Sequence, residues 1–179
     1  MATTNLFAGV LNKMEKAVLT STKQALNRAG TSTRARYAKE ISSSLGITSA
    51  RAKSRAKIIK TGDTGVTLSI GVRTMFAAHD FKPKVIKVQS RLGTRYAATY
   101  QVKGQGRIQT TKGFVAYGKG SAKTIIIERK GAERYPTQTV MVNVFRPAVE
   151  TVQPLLQQHM LDTFKKNLDS ALTYNLDKI

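Results

Sequence analysis

The apolar residues of this chain change their spacing twice, and that change limits the folds open to it. Over about 6–45, Val10, Met14, Ala17, Val18, Ala25 and Ala29 recur every three or four positions, as one buried helix face requires. Tyr37, Ala38, Ile41 and Leu45 carry the pattern on. From residue 66 the period is two. Val66, Leu68, Ile70 and Val72 alternate with Thr67, Ser69, Gly71 and Arg73, the mark of a strand with one buried face. From Val149 the wider spacing returns, through Val152, Leu156, Met160, Phe164, Leu168 and Leu172. The order predicts an α+β chain: a long N-terminal helix and a short basic one, an antiparallel sheet of about four to six strands, and a long C-terminal helix. The length, 179 residues, suits one domain, 1–179, with a basic helical region over 1–60, a β-rich region over 61–145 and a C-terminal helix over 146–179.

Local punctuation sets the boundaries. Gly30-Thr31-Ser32 is where the first helix could bend, and Gly46 reads as the left-handed residue that ends it. Thr48 or Ser49 then caps a helix near Ser49–Lys57. The turn Thr61-Gly62-Asp63-Thr64-Gly65 pairs Ile58–Lys60 with the alternating strand as a hairpin. Residues 75–111 read as the least regular stretch, with short strands at Val85–Val88 and Tyr96–Val102 and a loop at Gly104-Gln105-Gly106. Phe114–Tyr117 and Thr124–Glu128 read as strands around Gly118-Lys119-Gly120-Ser121, and Thr137–Val144 as a further strand. Arg146-Pro147 opens the last helix, where a proline has no hydrogen bond to lose; Pro154 falls in its early turns.

Charge narrows the partners. Thirty Lys and Arg oppose ten Asp and Glu, a formal charge of +20. Residues 1–60 carry twelve cations and two anions, 61–135 fourteen and four, and 136–179 four of each. Solubility alone needs a net charge of only roughly 2–8. An excess of this size repels itself in a compact fold and is expected to meet an acidic partner. No run of 18 or more apolar residues is present, so no membrane partner is expected. Met1–Phe7 lacks the basic-then-apolar plan of a signal peptide, which predicts a protein kept in the cytosol until it joins something larger.

Catalytic chemistry finds little footing. The absence of cysteine excludes disulfides, thiol nucleophiles and cysteine-based zinc sites. His79 and His159 are far apart and lack recognisable ligand partners, and the carboxylates are scattered. Gly113-Phe114-Val115-Ala116-Tyr117-Gly118-Lys119-Gly120-Ser121 approaches a phosphate-binding loop, but Gly120 stands where Ser or Thr should follow the lysine. The β-branched run Thr124–Ile127 follows in place of a helix, so a hairpin turn is the better reading. No enzyme activity and no cofactor are expected.

The basic helices say more. Arg28, Arg34, Arg36 and Lys39 lie on the first, and Arg51, Lys53, Arg55, Lys57 and Lys60 crowd the second, whose Ala50, Ala52 and Ala56 bury little. Such a face could follow phosphates without reading sequence, or meet an acidic neighbour in an assembly. Glu40–Ser49 followed by a basic helix is also similar to a helix-turn-helix, although Arg51, Ala52, Lys53 and Ser54 stand where that motif buries an aliphatic residue. A sequence-nonspecific or helix-turn-helix DNA-binding protein is therefore the alternative function.

Several segments, in their order, resemble the minor tail protein Z family of lambda-type phages and prophages. At the front these are Ala25-Leu26-Asn27-Arg28-Ala29, the Ser/Thr-, Ala- and Arg-rich helix after it, and the step from Glu40-Ile41 through a short break into a basic helix. At the back they are Gly113-Phe114-Val115, a hairpin, Glu128-Arg129-Lys130-Gly131, Arg134-Tyr135-Pro136, and a strand leading to Val149 and a helix with Phe164, Leu168 and Leu172. The resemblance implies a structural protein at the head-proximal end of the tail, made in the host cytoplasm and acting in tail completion, head–tail joining and DNA passage. It also implies a homo-oligomeric ring, hexameric or a multiple, among tail and neck proteins, with duplex DNA in its lumen. The expected DNA or acidic-partner contacts are Arg28, Arg34, Arg36, Arg51, Lys53, Arg55 and Lys57. The expected packing or assembly helix presents Val149, Val152, Leu156, Met160, Phe164, Leu168 and Leu172.

Overall fold

A computed structural model describes residues 2–61, 65–70, 75–90, 93–110, 113–117, 124–131 and 135–179. It has two long helices, α1 (Ala2–Leu45) and α3 (Phe145–Leu176), and a short one, α2 (Ser49–Lys53). The strands are β1 (Ala56–Thr61), β2 (Gly65–Ile70), β3 (Phe76–Ala77), β4 (Lys84–Ser90), β5 (Gly93–Gln101), β6 (Arg107–Gln109), β7 (Gly113–Tyr117), β8 (Thr124–Arg129), β9 (Thr137–Thr139) and β10 (Met141–Val142). The chain divides into two compact units. The first holds residues 1–38, 53–71 and 152–179, and the second 39–52 and 72–151.

In the first unit, α1 and α3 pack side by side and the β1–β2 hairpin lies on α1. Forty-four residues make α1 about 66 Å long at 1.5 Å per residue. It runs through Gly30 as helix, so this glycine serves a close approach. A Cβ built there would sit 2.9 Å from Val66 Cγ1 and 3.5 Å from Ile58 Cγ2. The hairpin has the expected pairing, with Ile58 opposite Leu68 and Thr61 opposite Gly65. Residues 62–64 of its turn, and Val72 and Arg73 of the longer strand expected, lie outside the described residues.

One expectation for α1 is overturned. Ala17, Ala25 and Ala29 are buried, but Val10, Met14 and Val18 of the same stripe are 43–46% exposed. The spacing marks a face made to be covered, and α3 covers only some of it.

In the second unit, α1 ends where Gly46 adopts φ +72°, its N–H bonding the Ser42 carbonyl. An L side chain is disfavoured there, and a Cβ would also lie 3.3 Å from Lys103 Cβ. Gly46→Ala should therefore lower stability by about 1–2 kcal/mol, read as a shifted urea midpoint at unchanged slope. Thr48 caps α2 through Arg51 N–H at 3.3 Å. The helix stops at Lys53, shorter than the expected Ser49–Lys57, because Ala56–Thr61 is claimed by pairing with β2.

The expected single sheet of four to six strands is replaced by four small ones: β1–β2, β10–β3, β4–β5–β6 and β7–β8–β9. Val140 shows the reason. Its N–H bonds the Ile126 carbonyl of β8, while its carbonyl accepts from Ala78 N–H. The expected strand Thr137–Val144 therefore pairs with β8 up to Thr139 and with β3 from Met141. A strand that changes partners at one residue cannot carry a continuous ladder. The described residues of 75–111, a stretch expected to be the least regular, form β3–β6 and a 3₁₀ turn at Ala78–Asp80. The core of this unit gathers on Phe81, fully buried, edge-on to Phe76 at 6.1 Å and beside Tyr100 at 6.4 Å. The turn at Gly118–Ser121 and the residue Arg134 lie outside the described residues.

Candidate functional site

Two surfaces carry the residues singled out above. The first is basic. In the first unit Arg28 is exposed on α1, Lys53 closes α2, Arg55 is half-buried in the turn after it, and Lys57 is exposed on β1. Strand alternation turns Ala56 and Ile58 inward and leaves Lys57 and Ile59 outward. Arg34 is half-buried, and its guanidinium donates to the Lys53 carbonyl at 3.2 Å. That bond brings α1 against the segment entering β1, so Arg34, Lys53, Arg55 and Lys57 share one neighbourhood. Beneath it lies Tyr37, fully buried, whose hydroxyl has no hydrogen-bond partner among the described residues. Burial pushes its pKa up to about 12, partly offset by the Arg55 guanidinium.

Two predicted contacts are engaged elsewhere. Arg51 belongs to the second unit, where its Nε donates to Asp80 at 2.9 Å. That pair lines a cavity of about 380 Å³ with Thr48, His79, Pro83 and Thr124. Arg36 is exposed and donates to His159 Nδ1 at 3.0 Å. A guanidinium can only donate, so Nδ1 is the acceptor and Nε2–H donates to Ser32 Oγ at 3.0 Å. His159 thus helps to join the two long helices. The five residues of α2 rise only about 7.5 Å, too little for a recognition helix along a DNA groove.

The second surface is the seam of α1 and α3. Ser21, buried on α1, shares its hydroxyl proton between the carbonyls of Ala17 at 2.7 Å and Ala171 at 3.0 Å, and accepts from Asn175 Nδ2 at 2.9 Å. Ser21 beside Ala171–Asn175 and Ser32 beside His159 fix an antiparallel register. Along the predicted stripe, Val152 and Leu156 are buried, and Met160, Phe164, Leu168 and Leu172 are half-buried. Val149, also half-buried, belongs to the second unit.

Sequence reasoning placed Val10, Met14 and Val18 on a buried face and did not single out Leu11, Leu19, Leu155 or Leu161, yet this seam leaves all seven outside. Val10, Leu11, Met14, Val18 and Leu19 on α1, and Leu155 and Leu161 on α3, are 43–55% exposed. A signal was present: Val10-Leu11, Val18-Leu19 and Leu155-Leu156 are adjacent apolar pairs, wider than one helix contact covers.

Among the described residues no group of three or more His, Asp or Glu side chains could hold a metal ion, and no helix is long and apolar enough to cross a membrane. Neither a curated protein nor a solved structure matches the chain. The model of one protein family, prophage minor tail protein Z (GPZ), matches residues 8–179. A match over nearly the whole length, on two long helices framing short strands, shows that the chain belongs to the prophage minor tail protein Z family and is a structural, non-enzymatic component of the phage tail.

Proposed function

We propose that copies of this chain form a closed ring at the head-proximal end of the tail, six or a multiple of six, which completes the tail, joins it to the head and lets DNA pass. The observation that carries this reading is the uncovered apolar surface of α1 and α3 in the single chain, from Val10 to Leu19 and at Leu155 and Leu161. Apolar side chains gathered on one helix face, as over Val10–Leu19, mark protein–protein contacts when they are left open. Closed symmetry lets each small subunit cover faces that it cannot cover alone. The uncompensated +20 suits the lumen of such a ring, because backbone phosphates attract cations whatever the sequence. Neighbouring tail and neck proteins supply the remaining contacts.

The test is the symmetry and copy number of the chain in assembled tails, read by electron microscopy, beside the mass of the purified chain. An annulus around the tail axis is the expected result. Single copies both in solution and in the particle would overturn the reading.

A further inference from the structure

The first turns of α1 run on past the end of α3. Ser21 lies level with Ala171–Asn175, and the helices are antiparallel, so α3 reaches its end at Leu176 beside about Ala17. Exposure follows this register. Every residue from Gly9 to Lys16 is exposed, and Ala17, next in line, is buried. Yet Val10, Leu11, Met14 and Val18 continue the stripe that, from Ser21 and Ala25 onward, packs against its neighbours. The projecting segment therefore carries a face of the kind that seats on another helix, with no length of α3 to seat on.

The same unit holds an unfilled groove. Leu26 and Ala29 of α1, with Gln157, Met160, Leu161 and Phe164 of α3, line an open cleft of about 420 Å³. Its lining has one polar side chain, Gln157, and no charge. A cavity of roughly 150 Å³ admits a benzene-sized group, so this cleft takes about two or three aliphatic side chains. The chain's own projection cannot supply them. Met14, Leu11 and Val10 stand 12–16 residues before Leu26 on one continuous helix, about 18–24 Å away along its axis.

We propose that the projecting segment Val10–Lys16 of one copy, with its apolar face of Val10, Leu11 and Met14, docks in the α1–α3 groove of the next. This rests on the ring reading and gives it a contact. Projection and groove are different surfaces, so the contact is head-to-tail: each copy offers one surface to each neighbour, and the series closes when the rotation allows. Pairing projection with projection would stop at a dimer. An unrelated protein in the groove would leave the projection of this chain still uncovered.

Two variants of the full chain test this without needing the register of docking. One spoils the projection, Leu11→Glu with Met14→Glu. The other spoils the groove, Leu161→Glu. All three positions are exposed in the single chain, so each variant should keep the wild-type circular dichroism and melting curve. By light scattering each variant alone should fall from a multimer to the mass of one chain. Mixed in equal amounts they should form two-chain complexes, because each partner retains the surface that the other lacks. If either variant keeps the wild-type multimer, or if the mixture stays at one-chain mass, the docking is wrong; a persisting wild-type multimer leaves the ring reading standing. If wild-type copies are single both in solution and in assembled tails, the ring reading fails first and the docking with it.

Discussion

Tyr37→Ala should destabilise the chain by about 3–5 kcal/mol, while Tyr37→Phe should leave it unchanged or make it more stable by about 1 kcal/mol. The ring is fully buried in the first unit, so its removal leaves a cavity in addition to the lost apolar burial. The hydroxyl is a different matter. It has no hydrogen-bond partner among the described residues, so its burial carries a desolvation cost, and deleting it removes that cost. The two substitutions therefore separate the portion of the side chain that stabilises from the portion that does not.

The same hydroxyl sets an alkaline limit. Its pKa rises from the ordinary 10.0 to about 12, chiefly because burial disfavours the phenolate. The unfolded chain loses this proton near pH 10, the folded chain only near 12. This group therefore leaves stability unchanged with pH below 10, and stability falls as the pH climbs to 12. Two pH units at 1.36 kcal/mol each make about 3 kcal/mol. Against a typical total of roughly 5–15 kcal/mol this is a large share. Urea melts between pH 9 and pH 12 should show the wild type losing this much and Tyr37→Phe losing distinctly less. Parallel losses in the two proteins would assign the alkaline limit to other groups.

What could be read in the sequence was local. Gly46 ends α1 and Thr48 caps α2 because each signal acts within a turn of its own position. The β1–β2 pairing was legible for the same reason, since a hairpin needs only its neighbours. Partners distant in the chain were not legible. The split at Val140 depends on Ile126 and Ala78, and no feature of residues 137–144 reports that two strands compete for them. Val10 and Ala25 obey one periodicity, but one is open and the other covered; the difference is where α3 stops. Arg51 and Lys53 look equivalent in a basic run, until Asp80, 29 residues on, claims Arg51.

This sorting of the cations leads to the second large effect, on duplex DNA. Lys53, at the end of α2, and Lys57, on the outward side of β1, are exposed, whereas Lys60 falls on the side of β1 that Ala56 and Ile58 share. Arg51 is held by Asp80, Arg34 by the Lys53 carbonyl, and Arg55 lies close enough to Tyr37 to lower its pKa. If the ring lumen meets DNA through this face, each lysine neutralises one phosphate and contributes about 0.9 to the slope of log K against log salt. Replacing both Lys53 and Lys57 with Gln should make that slope shallower by about 1.8. Between 50 and 200 mM salt, the double variant should then lose about 12-fold less affinity than the wild type. Arg51→Gln should leave the slope near that of the wild type, because its charge already faces a carboxylate. The two variants carry different numbers of lost charges, so the comparison is made per charge. A slope untouched by the two lysine substitutions would remove this face from DNA and assign its charge to an acidic protein neighbour. Equal per-charge losses at Arg51 and at the lysines would mean that DNA senses only the total charge, with no face presented to it.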